Sequence, residues 1–263
     1  MGNGQGCQEG GMSFWEHVDE LRSSLFRIIW VTLCCSVAAF IFKDEVFALV
    51  LAPKDSSFVT YGWLDALSGG LTSGMPHFSV RLISTGLTSQ FMVHVKMAVY
   101  VGVLCASPYI LYILFRFVSP ALYAGERKYV LRVVGCGYLM FVLGVLACYY
   151  LIFPLTFRFL GTYQVSSEVE NMISLQSYVS TLVGMSLTLG IVFEMPVLCW
   201  LLAKLGFLSS GFMRRVRRHA IVAILIVAAV ITPTSDVFTL LLVALPMCLL
   251  YEASIFIVGW SRR

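Results

Sequence analysis

The sequence predicts an all-α, polytopic membrane protein. Of its 263 residues, 59% are apolar and only 12% are charged, whereas an average soluble domain carries about 25% charged residues. The mean hydropathy is +0.87, and the apolar residues form long runs that almost lack charge. The chain is neither polar nor repetitive, and its net charge is only +4. These properties exclude disordered, collagen-like and nucleic-acid-binding proteins.

Six runs are apolar enough to form membrane helices. A helix needs about 20 residues to cross a hydrocarbon core of roughly 30 Å. Five of the runs approach or exceed that length, and charged side chains inside them are rare. The runs comprise residues 25–42, 97–115, 133–157, 174–203, 220–232 and 237–260.

The fifth run is shorter than the others. Residues 220–232 would span only about 20 Å as a helix. Pro233 disfavours helix at Thr232, and Asp236 can cap the helix that follows. We therefore expect helices five and six to be short and to form a hairpin that does not fully cross the membrane unless the bilayer thins locally.

The distribution of basic residues predicts the orientation, because Lys and Arg accumulate in cytoplasmic segments. Of the 18 Lys and Arg residues, only five lie on one side of the predicted spans, namely Lys43, Lys54, Arg81, Lys96 and Arg158. Both termini are therefore predicted to be cytoplasmic. We expect one integral membrane domain over residues 1–263. Its predicted cytoplasmic segments are residues 1–24, 119–132 and 204–219, and its outer loop is residues 43–90.

Carboxylates from two separate segments lie at the predicted cytoplasmic surface. Ser13 and Glu16 form a capping box that opens an amphipathic helix, on which Glu16, Asp19 and Glu20 share one face. Pattern alone favours a solvated helix face, and the alternative is a cation-binding patch. Glu126 lies near the start of the third span, where the helix dipole favours a carboxylate. It would also face the same compartment as Glu20.

Glu194 is the one acidic side chain inside the fourth run. An ionised carboxylate in the middle of a membrane helix costs about 2.5–3.5 kcal/mol even on the mildest insertion scale. We therefore expect Glu194 to face a cavity or a partner. Pro196 removes a backbone hydrogen bond beside it, and a kink is predicted there. Glu252, by contrast, lies near the end of the sixth run and is interpreted as structural.

Signatures of catalysis are missing from the sequence. Seven of the eight cysteines lie in apolar runs, and the four histidines are too dispersed for a metal site. No nucleotide-binding fingerprint or HExxH motif occurs. Neither an enzyme, a metal nor a cofactor is expected. The remaining alternative is a proton-coupled secondary transporter of small solutes that uses Glu194, although no internal repeat supports it.

Six short motifs resemble the TatC family of twin-arginine translocase subunits. They occur in the family's order and cover nearly the whole chain after Met12. The motifs are Glu20-Leu21-Arg22, Ser107-Pro108-Tyr109-Ile110-Leu111-Tyr112, Phe117-Val118-Ser119-Pro120-Ala121-Leu122-Tyr123 with Glu126-Arg127, Phe193-Glu194-Met195-Pro196-Val197, Ile231-Thr232-Pro233 with Asp236, and Leu250-Tyr251-Glu252.

The resemblance implies a cup-shaped, six-helix receptor in an energy-transducing membrane that binds the twin-arginine signal peptides of folded cargo proteins. That membrane is a bacterial inner membrane or a thylakoid, and the lack of a transit-peptide pattern favours the bacterial inner membrane. The resemblance also implies that the signal is bound by Glu20, Leu21, Arg22, Phe117, Leu122, Glu126 and Arg127. It further implies transport driven by the proton-motive force and a complex with single-span subunits of the TatA/TatB type within the lipid. Nucleic acid is not an expected partner.

Two partner-facing regions are also implied by the resemblance. Glu194 would line the membrane-embedded concave face, and an outer turn would contact partner subunits through Pro53, Thr232, Pro233 and Asp236. The chain departs from the family near that turn. The segment from Thr232 to Asp236 is one residue longer than the common Thr-Pro-Pro-Asp, and Leu240 replaces a polar Gln found in some relatives.

Overall fold

The computed structural model describes residues 14–55, 58–62, 82–118, 130–162, 172–232 and 236–261. Within them the backbone is almost entirely helical, as the apolar runs predict. The helices are α1 (Phe14–Ile41), α2 (Lys43–Leu51), α3 (Ser89–Val118), α4 (Val130–Ala147), α5 (Phe153–Thr162), α6 (Leu175–Phe193), α7 (Met195–Lys204), α8 (Ser210–Arg215), α9 (Arg217–Ile231) and α10 (Val237–Ser261).

Two further features occur between the helices. A two-residue strand, β1 (Leu82–Ile83), pairs in parallel with β2 (Ile173–Ser174) and joins the outer loop to the segment before α6. A π-helical turn, Cys148–Ile152, connects α4 to α5, so that these two helices form one continuous rod. The middle of the predicted outer loop, around Ser68, lies outside the described residues.

Five helical stretches among the described residues are long and apolar enough to cross a membrane. They are Val18–Ile41, Ser89–Phe117, Val133–Thr162, Leu175–Lys204 and Val237–Trp260. The sixth predicted membrane helix, α9, has 15 residues and is about 22 Å long. The chain is therefore an all-α, multi-pass membrane protein.

The prediction that both of the last two helices are short is confirmed for α9 and wrong for α10. Helix α10 has 25 residues and is about 37 Å long, which is enough to cross the hydrocarbon core. Pro246 lies inside α10 without ending it, and the apolar run continues on both sides. Of the two helices in the expected hairpin, only α9 is therefore too short to cross the membrane fully.

Small residues allow the long helices to approach closely, as is typical of membrane bundles. Helix α1 packs along α3, where a Cβ added to Gly102 would lie 2.7 Å from the Cα of Ser36. Helix α4 packs along α6, where a Cβ on Gly144 would lie 2.8 Å from the carbonyl oxygen of Leu189. Because α1 contacts little besides α3 in the described chain, most of its apolar surface is exposed.

Substitution of Gly144 tests this close packing. The Gly144→Ala variant should lose about 1–3 kcal/mol of stability, because the added methyl group forces the tightly packed α4 and α6 apart. Gly135 lies on the same helix with nothing within 4 Å of its added Cβ, so Gly135→Ala is the matched control and should change stability little. The thermal unfolding midpoint in detergent measures both. Equal midpoints for the two variants would contradict the close contact.

Hydrogen bonds from tyrosine hydroxyl groups anchor α2 and the turn that follows it to the helix bundle. The last carbonyl groups of a helix lack partners within it. Here Tyr149 donates to the carbonyl of Leu49 at 2.6 Å, and Tyr178 donates to that of Val50 at 3.1 Å. The first part of the predicted outer loop is therefore an ordered cap over α4 and α6.

Residues 58–62 are also anchored by side-chain hydroxyl groups that donate hydrogen bonds to backbone carbonyls. Pro154 deprives the Tyr150 carbonyl of its helical partner, and the hydroxyl of Thr60 donates to it instead. The hydroxyl of Tyr61 donates to the carbonyl of Pro53 at 3.1 Å. Burial raises the pKa of Tyr61 to about 12, although nearby Arg158 acts in the opposite direction. The hydroxyl of Tyr61 therefore stays protonated at physiological pH.

Candidate functional site

A narrow cleft separates the first turns of α1 from the last turns of α3. On the α1 side it is lined by Glu20, Ser24 and Arg27, whose spacing of four and three residues places them on one helix face. The cleft encloses about 70 Å³, whereas one water occupies about 30 Å³ of liquid. It can therefore admit the end of a side chain, but no larger group.

The α3 side of the cleft is aromatic and basic. Tyr109, Tyr112, Arg116 and Phe117 line it, and they recur at the spacing of successive helical turns. Arg116 is exposed, whereas the tyrosines and Phe117 are half-buried. The cleft thus combines aromatic rings with charged groups of both signs.

Glu20 is the only carboxylate among the residues that line this cleft. It is half-buried, and the described residues form no ion pair with it. Arg27 is held by its own helix, because its guanidinium donates to the hydroxyl of Ser23 at 2.9 Å. Glu20 is therefore positioned to bind a cationic group of another molecule.

The structure brings together only part of the predicted signal-binding set. Glu20 and Phe117 meet in the cleft. Leu21 and Arg22 are exposed and do not line it, and the guanidinium of Arg22 lies 5.9 Å from the ring centre of Phe26. Three further predicted members, Leu122, Glu126 and Arg127, lie outside the described residues, as do the side chains of the Ser13–Glu16 capping box.

Glu194 lies at the break between α6 and α7. Its backbone N–H bonds to the carbonyl of Ile191, three residues earlier, instead of following the α-helical pattern. Pro196 occupies the first turn of α7 and cannot donate a backbone hydrogen bond. The predicted kink at Pro196 is confirmed.

The Glu194 side chain is buried without a polar partner. It is 6% exposed, and neither carboxylate oxygen has a hydrogen-bond partner among the described residues. A Cβ added to Gly137 on α4 would lie 3.0 Å from Oε2, so the glycine leaves the space that the carboxyl group occupies. Because buried polar groups are nearly always hydrogen-bonded, a donor for this carboxyl group has to come from beyond the described residues.

Glu194 is also one of the residues that line a large apolar groove. The groove has a volume of about 440 Å³ and runs between α3, α4, α6 and α7. Ser107 is its other polar side chain, and aliphatic and aromatic residues such as Leu111, Phe141 and Ile191 form the rest. A groove of this composition fits an apolar helix or chain that carries one polar group near Glu194.

Hydrogen bonds fix the described residues on either side of the outer turn. Pro53 and Thr232 are buried, and the hydroxyl of Thr232 donates to the carbonyl of Ala229. Asp236 accepts a hydrogen bond from the backbone N–H of Thr239 at 2.7 Å and so caps α10 as predicted. Pro233 lies outside the described residues.

Sequence reasoning missed several residues of both sites. Arg27, Tyr109, Tyr112 and Arg116 line the cleft, and Ser107 lines the groove. Their helical spacing gives a signal only once α1 and α3 are known to be neighbours. In the described part of the chain, no group of three or more His, Cys, Asp or Glu residues is suited to hold a metal ion.

Comparisons with known proteins identify one family. Residues 16–246 match the family described as "Sec-independent protein translocase protein (TatC)". The TatC protein of Koribacter versatilis is 35% identical over 93% of this chain and 84% of its own length. That of Carboxydothermus hydrogenoformans is 32% identical over 95% and 94%, respectively. A crystal structure of the twin arginine translocase receptor TatC has a TM-score of 0.77 at 32% identity and covers 94% of this chain and 100% of its own.

Proposed function

Because this chain belongs to the TatC family of Sec-independent protein translocase proteins, we propose that it is the signal-peptide receptor of a twin-arginine translocase. It is a component of protein transport and not an enzyme. We place it, as one integral membrane domain, in the bacterial inner membrane with both termini in the cytoplasm. The alternative of a small-solute transporter has no support from the relatives.

The observation that carries the proposal is the unpaired Glu20 in the cleft between α1 and α3. Two arginines at a membrane surface are well recognised by carboxylates, because each guanidinium can form a bidentate, charge-assisted pair. The ammonium group of lysine lacks that planar geometry. We propose that Glu20 binds one arginine of the signal and that Glu126 binds the other.

The other predicted residues would complete this recognition site. Phe117 supplies apolar contact inside the cleft, and Leu122 would extend that contact. Leu21 and Arg22 are exposed on α1 beside the cleft, and with Arg127 they would contact the residues that flank the arginine pair.

We further propose that Glu194 and its groove hold an apolar segment of the signal or of a single-span TatA/TatB-type subunit. A polar side chain on that segment would supply the donor that Glu194 lacks within the described chain. Pro53, together with the turn that contains Thr232, Pro233 and Asp236, would contact partner subunits at the outer surface. Transport would be driven by the proton-motive force, without a nucleotide.

Export of a folded reporter tests the proposed function. The chain, expressed with TatA/TatB-type subunits of its own source in cells that lack their receptor, should export a reporter that carries a twin-arginine signal. A reporter whose signal carries two lysines is the matched control and should stay in the cytoplasm. If the inserted protein exports neither reporter, or both equally, the receptor function is wrong.

A further inference from the structure

A third cavity lies where α8 and α9 meet the last turns of α10. It has a volume of about 380 Å³ and is lined by Arg214, Arg217, Glu252, Ile255 and Phe256. Because successive spans run antiparallel, this end of the bundle is also the end that carries Glu20. The cavity is separate from the cleft and from the groove of Glu194, with which it shares no lining residue.

The charge of this cavity favours an anion. Arg217 forms an ion pair with Glu252, which leaves the positive charge of Arg214 unbalanced among the lining residues. The segment 204–219 contains no Asp or Glu to offset its basic residues. Arg214 is exposed, and the described residues form no ion pair with it.

The remainder of the cavity is apolar, and its aromatic side chain is exposed. Phe256 is 76% exposed, and Trp260, one helical turn further along α10, is 78% exposed. Phe256 lies five residues before the end of α10 at Ser261, which is about 7 Å along the helix axis. If α10 ends at the membrane surface, this depth corresponds to the boundary between lipid headgroups and acyl chains, where tryptophan side chains are enriched.

We propose that this cavity binds the headgroup of an anionic phospholipid. The phosphate would lie between Arg214 and Arg217, and an acyl chain would run along Phe256 and Trp260. A basic rim beside an exposed apolar surface matches the two parts of a phospholipid, whereas free phosphate would gain nothing from Phe256. Glu252, on α10, holds the guanidinium of Arg217 in place by accepting its hydrogen bond.

The competing explanation is that the arginines only set membrane orientation, since basic residues near helix ends do so without a defined site. That explanation treats all arginines of the segment alike. The proposed site distinguishes between these arginines. Arg214 lines the cavity, whereas Arg218 is exposed in the same segment and does not line it.

Native mass spectrometry of the full chain in mild detergent, titrated with dioleoyl phosphatidylglycerol, tests the proposal. We expect phosphatidylglycerol to be retained in preference to phosphatidylcholine of the same chains. Arg214→Gln should weaken retention about tenfold, because it removes a charge-assisted hydrogen bond, whereas the matched control Arg218→Gln should change it less than threefold. Phe256→Ala, which removes an exposed side chain, should also weaken the retention of phosphatidylglycerol. This variant serves as the test if Arg214→Gln does not fold.

Three results would overturn the proposal. Equal weakening by Arg214→Gln and Arg218→Gln would mean that the arginines attract anionic lipid diffusely. Equal retention of phosphatidylcholine would exclude recognition of an anionic headgroup. Displacement of the lipid by millimolar inorganic phosphate, with no effect of Phe256→Ala, would identify a site for free anions.

Discussion

The Glu194→Leu variant is expected to insert normally and to lose most of its transport activity. Leucine fills a similar volume but cannot accept or donate a hydrogen bond, so a polar group on the bound segment would be buried without a partner. A hydrogen bond to a charged group contributes about 1.5–3 kcal/mol, which corresponds to a loss of roughly 10- to 150-fold in affinity for that segment. Transport of a twin-arginine reporter measures the effect.

The same variant should be more stable, not less, in detergent. Neither oxygen of Glu194 has a hydrogen-bond partner in the described chain, and burial of an unsatisfied polar group costs stability. Replacement by leucine removes that cost. A higher unfolding midpoint together with lost transport would separate a binding role from a structural one.

Glu194→Gln is the matched control for this prediction. Glutamine has the same shape and keeps hydrogen-bonding capacity but removes the charge, so its transport activity should lie between those of wild type and Glu194→Leu. Full and equal activity of both variants would contradict a binding role for Glu194.

The Glu20→Ala variant is expected to bind a twin-arginine signal peptide about 10- to 150-fold more weakly, since one charge-assisted pair contributes about 1.5–3 kcal/mol. Its fold should not change, because the described residues form no ion pair with Glu20. Loss of Glu126 should have a similar effect. With both removed, the remaining affinity should come from apolar contacts around Leu21, Phe117 and Leu122.

Salt and a neighbouring acid provide the controls for Glu20. The affinity of the wild-type protein should fall as ionic strength rises, because the paired charges are partly exposed and are screened. Asp19→Ala removes an exposed carboxylate that does not line the cleft and should change affinity much less than Glu20→Ala. Equal losses for the two variants would mean that the general negative potential of α1, and not the cleft, attracts the peptide.

The helices could be predicted because a local pattern of apolar residues indicates each of them. Uncharged runs define the spans, and the short α9 follows from the interval before Pro233. The expectation that α10 is also short is wrong, because the shortness of α9 does not limit the helix that follows the turn. Pro246 is accommodated within α10, and the apolar run that contains it is long enough to cross by itself.

The sites could be predicted only in part. Burial of Glu194 follows from the cost of placing a carboxyl group in a membrane span, but the space beside Gly137 depends on how α4 and α6 pack. Likewise, Glu20 stands out as a surface acid, whereas its proximity to Tyr112 and Phe117 depends on the register between α1 and α3. Neither contact is encoded in the spacing along one helix.

Discrimination between arginine and lysine signals tests the receptor function most directly. Binding of twin-arginine and twin-lysine peptides should be measured for wild type, Glu20→Ala, Glu126→Ala and the double variant. We predict that wild type prefers the arginine peptide, that each single variant weakens this preference, and that the double variant lacks it. A double variant that still prefers the arginine peptide as strongly as wild type would show that the arginine pair is recognised elsewhere.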